Sequence, residues 1–237
     1  MNLDRAGQSA LLRLSQVDLS IQQIKNEISK AVNSKELQDL TEKMAAASSE
    51  LLTSRTDYEN LDMEARKADD NLHLVEQRIA RDEERLKLTT SSKDAQAMQS
   101  EVQSLNARKG ELEEIELEIL DRLELSKKEF DAAASKREEV QLALNTLQAE
   151  IQLQIDDLKT NGRKLTADRE ILISKIPAEI LVTYNALAAK QIAVGQVENR
   201  SCTACRMGLT ASTIDSLSAL EDDAIGTCPE CLAMIVR

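Results

Sequence analysis

Leu61-Asp-Met-Glu-Ala65-Arg-Lys-Ala68-Asp-Asp-Asn-Leu72-His-Leu-Val75-Glu-Gln-Arg-Ile79 steps its apolar residues by four, three, four, three and four. That alternation makes a coiled-coil seam, because it brings an apolar side chain to one side of a helix at every turn. Outward from this stretch, the series begins at Leu37 and runs through Leu40, Met44, Ala47, Leu51, Ser54 and Tyr58. It continues past Ile79 to Asp82 and Leu86, and only Ser54 and Asp82 are polar. An earlier series, Leu14, Val17, Ile21, Ile24, Ile28 and Ala31, is out of phase with it. The slip falls near Asn33-Ser34, where Ser34 can cap a new helix, so a break is expected there.

A second arm starts after Thr89-Thr90-Ser91-Ser92, where Ser91 with Asp94 three residues on resembles a capping box. Its apolar series includes Met98, Val102, Leu105, Leu112, Ile115, Ile119, Leu123 and Phe130, resumes at Val140 and reaches Leu172. Pro177 ends it. The two arms have nearly equal length, about 125 Å each at the helical rise. The pattern predicts an all-α, long antiparallel coiled-coil hairpin with its tip near 89–92. Folding at Thr90-Ser91 pairs residues whose numbers sum to about 181, so that Leu51 faces Phe130. The tether favours this hairpin over a dimer of straight helices.

Composition agrees. The aromatic residues are Tyr58, Phe130 and Tyr184, and the net charge is −12. A globular enzyme core needs more large apolar side chains. The acidic balance argues against general affinity for nucleic acid or anionic membranes. No apolar run reaches the roughly 18 residues of a membrane span, and Met1-Asn-Leu-Asp-Arg does not open a signal peptide. A cytoplasmic protein is expected. His73 is the only histidine and lies outside the apolar series, and there is no Gly-rich phosphate loop. Neither an enzyme nor a small-molecule substrate is expected.

All four cysteines lie near the end, as Cys202-Thr-Ala-Cys205 and Cys228-Pro-Glu-Cys231, with 22 residues between the pairs. This is the ligand spacing of a small zinc ribbon. Four sulfurs leave no position for water, so one structural Zn2+ held by Cys202, Cys205, Cys228 and Cys231 is expected rather than a catalytic metal. Two disulfides, a dithiol redox pair or iron are the alternatives; a reducing compartment favours metal-bound thiolates. The expected domains are 1–176, the hairpin, and 177–237, the head. In the head, Pro177–Gln191 reads as a short helix, Ile192–Val197 and Met234–Val236 as strands, and Leu209–Leu220 as a further helix. Metal binding should supply much of the head's folding free energy, because the head has few apolar residues.

Three segments resemble a bacterial family of coiled-coil hairpins with a C-terminal C4-type zinc ribbon, often described as nucleic-acid-binding. They are Val197-Glu-Asn-Arg-Ser-Cys202-Thr-Ala-Cys205-Arg-Met207-Gly-Leu209, Cys228-Pro229-Glu-Cys231, and the tip Ser92-Lys93-Asp94-Ala95-Gln96-Ala97-Met98-Gln99-Ser100-Glu101. The tip wording is similar to the actinobacterial branch. Two positions depart: Leu232 stands where the family usually has Gly, and the aromatic residue often near Ala95 is absent. The resemblance implies a non-enzymatic adaptor, some relatives being tied to sigma-factor or secretion-machinery partners and to RNA. The leading reading is a scaffold that binds protein partners in regulation. Its alternative is an RNA- or DNA-binding regulator acting through the ribbon, with Arg200 and Arg206 beside the first knuckle as candidate contacts. At the tip, Lys93 and Asp94 are candidate contacts, although Asp94 is also what a helix start favours.

Overall fold

Helices dominate the computed structural model, which describes residues 1–237. Three long helices come first: α1 (Arg5–Val32), α2 (Lys35–Leu88) and α3 (Ser92–Ile173). The rest is α4 (Ala178–Ala188), β1 (Val194–Gly195), β2 (Val197–Glu198), β3 (Ser201–Cys202), α5 (Ala211–Ser218), β4 (Gly226–Thr227) and β5 (Met234–Ile235). The chain divides into two compact units, Lys35–Gln148 and Met1–Ser34 with Ala149–Arg237. Residues 177–237 thus share a unit with α1 and the end of α3.

In the unit Lys35–Gln148, α2 and the first part of α3 run antiparallel. No Gly or Pro interrupts the 54 residues of α2. Thr89–Ser91 makes the turn, and Ser91 accepts from the Asp94 and Ala95 amides through its hydroxyl and carbonyl, at 3.4 and 2.9 Å. The seam buries Ala47, Ala65, Ala68 and Ile79 against an α3 face that buries Leu112, Ala133 and Leu144. The alanines allow close approach of the two backbones.

The register differs from the sequence expectation. Phe130 stacks on Tyr58, seven residues beyond the expected Leu51. Ion pairs join Glu50 to Lys136, Glu64 to Arg122 and Glu76 to Lys109. Their residue numbers sum to about 186 rather than 181. Nearer the turn Arg78 pairs with Glu101, a sum of 179, so the offset is not a uniform slide of one arm. Apolar periodicity within each arm does not by itself select the residue faced across the seam. The polar seam residues are handled differently. Ser54 donates to its own Leu51 carbonyl at 3.2 Å. Asp82 keeps Oδ2 buried without a hydrogen bond, with Arg78 Nε 3.8 Å away.

In the other unit, α1 contributes Leu11, Leu14 and Val17 to a core shared with Leu172, Ile176, Ile180, Tyr184, Val194, Met234 and Val236. Asp4 caps α1 by accepting from Gly7 N–H at 2.8 Å. Residues before the helix pair with the segment before β4: Leu3 N–H donates to Asp223 O at 2.6 Å, and Ile225 N–H to Met1 O at 3.0 Å. The Gln8 side chain, 1% exposed, ties three segments together. Its Nε2 donates to the Leu3 and Asp222 carbonyls, both at 2.9 Å, and its Oε1 accepts from Arg237 N–H at 3.1 Å. The strands form a three-stranded sheet in the order β1-β5-β4, with β1 parallel to β5 and β4 antiparallel to it, and a separate β2-β3 hairpin.

Candidate metal centre

The β2-β3 hairpin delivers the first cysteine pair. Its turn residues Asn199 and Arg200 have φ of 48° and 60°, the doubly left-handed geometry of a type I′ turn. Cys202 follows directly in β3. Its N–H donates to Met207 O at 3.0 Å, and Arg206 N–H returns to Cys202 O at 2.7 Å. The second pair repeats the pattern: Cys228 N–H donates to Ala233 O and Leu232 N–H to Cys228 O, each at 2.9 Å. In each knuckle the residue after the second cysteine is left-handed, Arg206 at φ 61° and Leu232 at φ 62°. A glycine would adopt this conformation without strain. Leu232 thus takes the glycine-like conformation with a side chain present, and the second knuckle keeps the backbone pattern of the first.

The knuckles bring the four Sγ atoms within 4.8 Å of one another. Cys202 and Cys228 are fully buried, and Cys205 and Cys231 are half-buried. Leu209 and Ile235 enclose the site, with Ile214 and Leu217 packed beside them. Burial pushes the Cys202 thiol up, opposed by the Cys205 and Ala204 amides. Burial also pushes Cys231 up, to about 12. Burial opposes ionisation of Cys228 too, but the Cys231 and Glu230 amides and the neighbouring thiols outweigh it, so its thiolate is favoured. Four sulfurs this close cannot all be charged unless a cation sits among them. The donor set therefore fits a metal ion.

The other expected site residues lie apart from this cluster. Arg200 and Arg206 are exposed beside the first knuckle. Arg206 shares a shallow groove with Glu198 and Asn199. Lys93 and Asp94 are exposed in the first turn of α3. His73 is exposed, its Nε2 2.8 Å from Gln77 Nε2. One cluster was not anticipated. Asp18 accepts from Tyr184 Oη at 2.7 Å and from Arg169 Nε at 2.6 Å. The only sequence signal for it is that Tyr184 is the sole aromatic residue after Phe130.

An antiparallel helix pair and a four-cysteine ribbon in one chain define a coiled-coil hairpin protein with a candidate metal-binding head. The family model described as the CT398-like coiled coil hairpin domain matches residues 14–192, and the chain belongs to this family. It is 24% identical over 236 residues to the uncharacterized protein Rv2229c of Mycobacterium tuberculosis H37Rv, covering 98% of this chain and 96% of that one. A solved structure from Mycobacterium smegmatis is similar along the whole of both chains, with 26% identity and a TM-score of 0.89. CT398 from Chlamydia trachomatis shares the fold at 16% identity and a TM-score of 0.68, covering 98% of this chain and 97% of that one. No helix is long and apolar enough to cross a membrane.

Proposed function

We propose that this protein is a non-enzymatic cytoplasmic adaptor, with one structural zinc ion, that binds protein partners in regulation. The observation that carries the reading is the closed donor set, four Sγ atoms within 4.8 Å of one another on two matching knuckles. Zinc suits four thiolates, which fill its tetrahedral shell and leave no place for a reacting water. Cys202, Cys205, Cys228 and Cys231 would hold it. When bound, the ion neutralises the sulfurs and stabilises the ribbon. The helix pair supports the binding role by its surface: Leu52, Leu74, Leu117 and Leu142 stay exposed on it. The alternative is RNA or DNA binding through Arg200 and Arg206, which are exposed but have Glu198 close by in the same groove.

Elemental analysis of the purified protein should find one zinc per chain. Affinity capture from native lysate, with and without nuclease, tests the adaptor role. Specific proteins retained after nuclease are expected. Retention of nucleic acid alone, with a steep dependence on salt, would replace the adaptor reading by the alternative.

A further inference from the structure

A cavity of about 880 Å³ opens in the unit that holds the ribbon, between α1, the end of α3 and the segment leading from α4 to β1. Its size is in the range of ligand-binding clefts. Asp18 is the only carboxylate in its lining, and both oxygens are engaged. Arg169 Nε holds Oδ1 at 2.6 Å, and Tyr184 Oη holds Oδ2 at 2.7 Å, with Arg169 Nη2 at 3.4 Å. Tyr184 is 1% exposed, so this network is fixed from below. Arg169 keeps its Nη1 donors unused. Lys25 and Lys190 also line the cavity, exposed and outside every ion pair. Three cations thus face one carboxylate that is already paired, in a chain whose net charge is −12.

The rest of the lining is apolar in part. Leu19 is 39% exposed at the cavity, and Ile21 and Ile192 stand near it. An occupant that satisfies both features carries negative charge and an apolar group together. Nucleic acid fits poorly, because the only aromatic ring in the lining, that of Tyr184, is buried and offers no face for stacking. We infer that this cavity docks an acidic peptide segment of a protein partner, with an apolar side chain against Leu19 and carboxylates toward Lys25, Lys190 and Arg169. This rests on the adaptor reading and specifies the chemistry of its partner. Charge complementarity of this kind selects among partners and speeds their encounter.

The test selects a random linear peptide library displayed on phage, using the zinc-loaded chain of residues 1–237 and its Lys25→Glu/Lys190→Glu variant. Both lysines are exposed and unpaired, so the variant should keep the wild-type helical signal and metal content. The wild type should enrich peptides rich in Asp and Glu with an apolar residue. The strongest of these, synthesised with a fluorescent label, should bind the variant at least about tenfold more weakly. Enrichment of no acidic peptides, or equal binding by both proteins, would overturn the inference. So would a single-stranded RNA probe that competes for the site and depends on the same lysines. Lysate capture that finds partners yet is unchanged by the variant would remove this site while leaving the adaptor reading in place.

Discussion

Tyr58 and Phe130 stack nearly parallel across the helix pair, with ring centroids 5.8 Å apart and an interplanar angle of 6°. Stacked aromatic pairs contribute about 0.5–1.5 kcal/mol beyond their burial. A double-mutant cycle with Tyr58→Leu and Phe130→Leu, read by denaturant unfolding of the helical signal, should therefore give a coupling near 1 kcal/mol. The same cycle with Leu51→Ala and Phe130→Leu should give a coupling close to zero. Coupling to Leu51 instead would restore the register first expected from the sequence.

How much the sequence reveals follows from such pairs. Heptad spacing locates α2, the turn at Thr89–Ser91 and the break before Lys35, because each depends on local pattern and capping. The cysteine spacing locates the sulfur cluster, because a knuckle is also local. Register is not local: two apolar stripes that repeat every seven residues fit in more than one way. Nor is the union of Gln8 with Asp222 and Arg237, which joins residues more than 200 positions apart. The Asp223 carbonyl also accepts from the N–H of Leu3, a residue far away in sequence. Asp18, Arg169 and Tyr184 likewise meet only after three helices have packed.

Asp82 places a carboxylate oxygen in the seam with no hydrogen bond, and its side chain is only 16% exposed. Removing a buried carboxylate oxygen that has no hydrogen bond, and only the long 3.8 Å contact with Arg78, eliminates a desolvation cost of about 1–3 kcal/mol. Asp82→Leu should thus stabilise the helix pair by at least about 1 kcal/mol, seen as a higher denaturant midpoint at unchanged slope. Arg78 retains Glu101 as a partner, so the substitution strands no cation. A lower midpoint would mean that the carboxylate is better satisfied than its contacts indicate.

Leu232 holds a left-handed backbone and is 64% exposed. For a residue with a Cβ this conformation costs roughly 1–2 kcal/mol. Leu232→Gly should relieve most of that strain and lose little packing. With the proposed zinc in place, where metal binding would be coupled to ribbon folding, the gain should appear as slower zinc release to a chelator. Faster release would show that the exposed leucine contributes contacts that outweigh the strain.

Burial pushes the Tyr184 phenol well above its ordinary value, and the bond it donates to Asp18 adds to the shift. Folding therefore favours the protonated form. That stabilisation is fully present below about pH 10, the ordinary phenol range, and is lost as pH rises further, since the unfolded chain then gives up a proton that the folded chain keeps. Tyr184→Phe should cost about 1–2 kcal/mol at neutral pH through the lost bond to Asp18. Above pH 10 its stability should fall less steeply than that of the wild type. Parallel slopes in urea titrations at neutral and alkaline pH would count against this account.

Metal removal should reach beyond the ribbon. Leu11 and Leu14 of α1 are fully buried in a core that includes Val194, Met234 and Val236. Met234 and Val236 lie within six residues of Cys231, and Val194 sits on β1, which pairs with β5. Loss of the proposed metal would loosen the second knuckle, and with it the strand that supplies part of the packing for α1. Gln8 would lose its contact with Arg237 N–H in the same event. Hydrogen exchange measured by mass spectrometry before and after chelation should therefore show faster exchange in residues 5–17 as well as in the ribbon. Amides of residues 40–80 should change little, because their partners across the seam lie in the other compact unit. Exchange that rises in the ribbon alone would show that α1 is held by α3 and α4 without the sheet, and exchange that rises throughout α2 would show that the two units unfold as one.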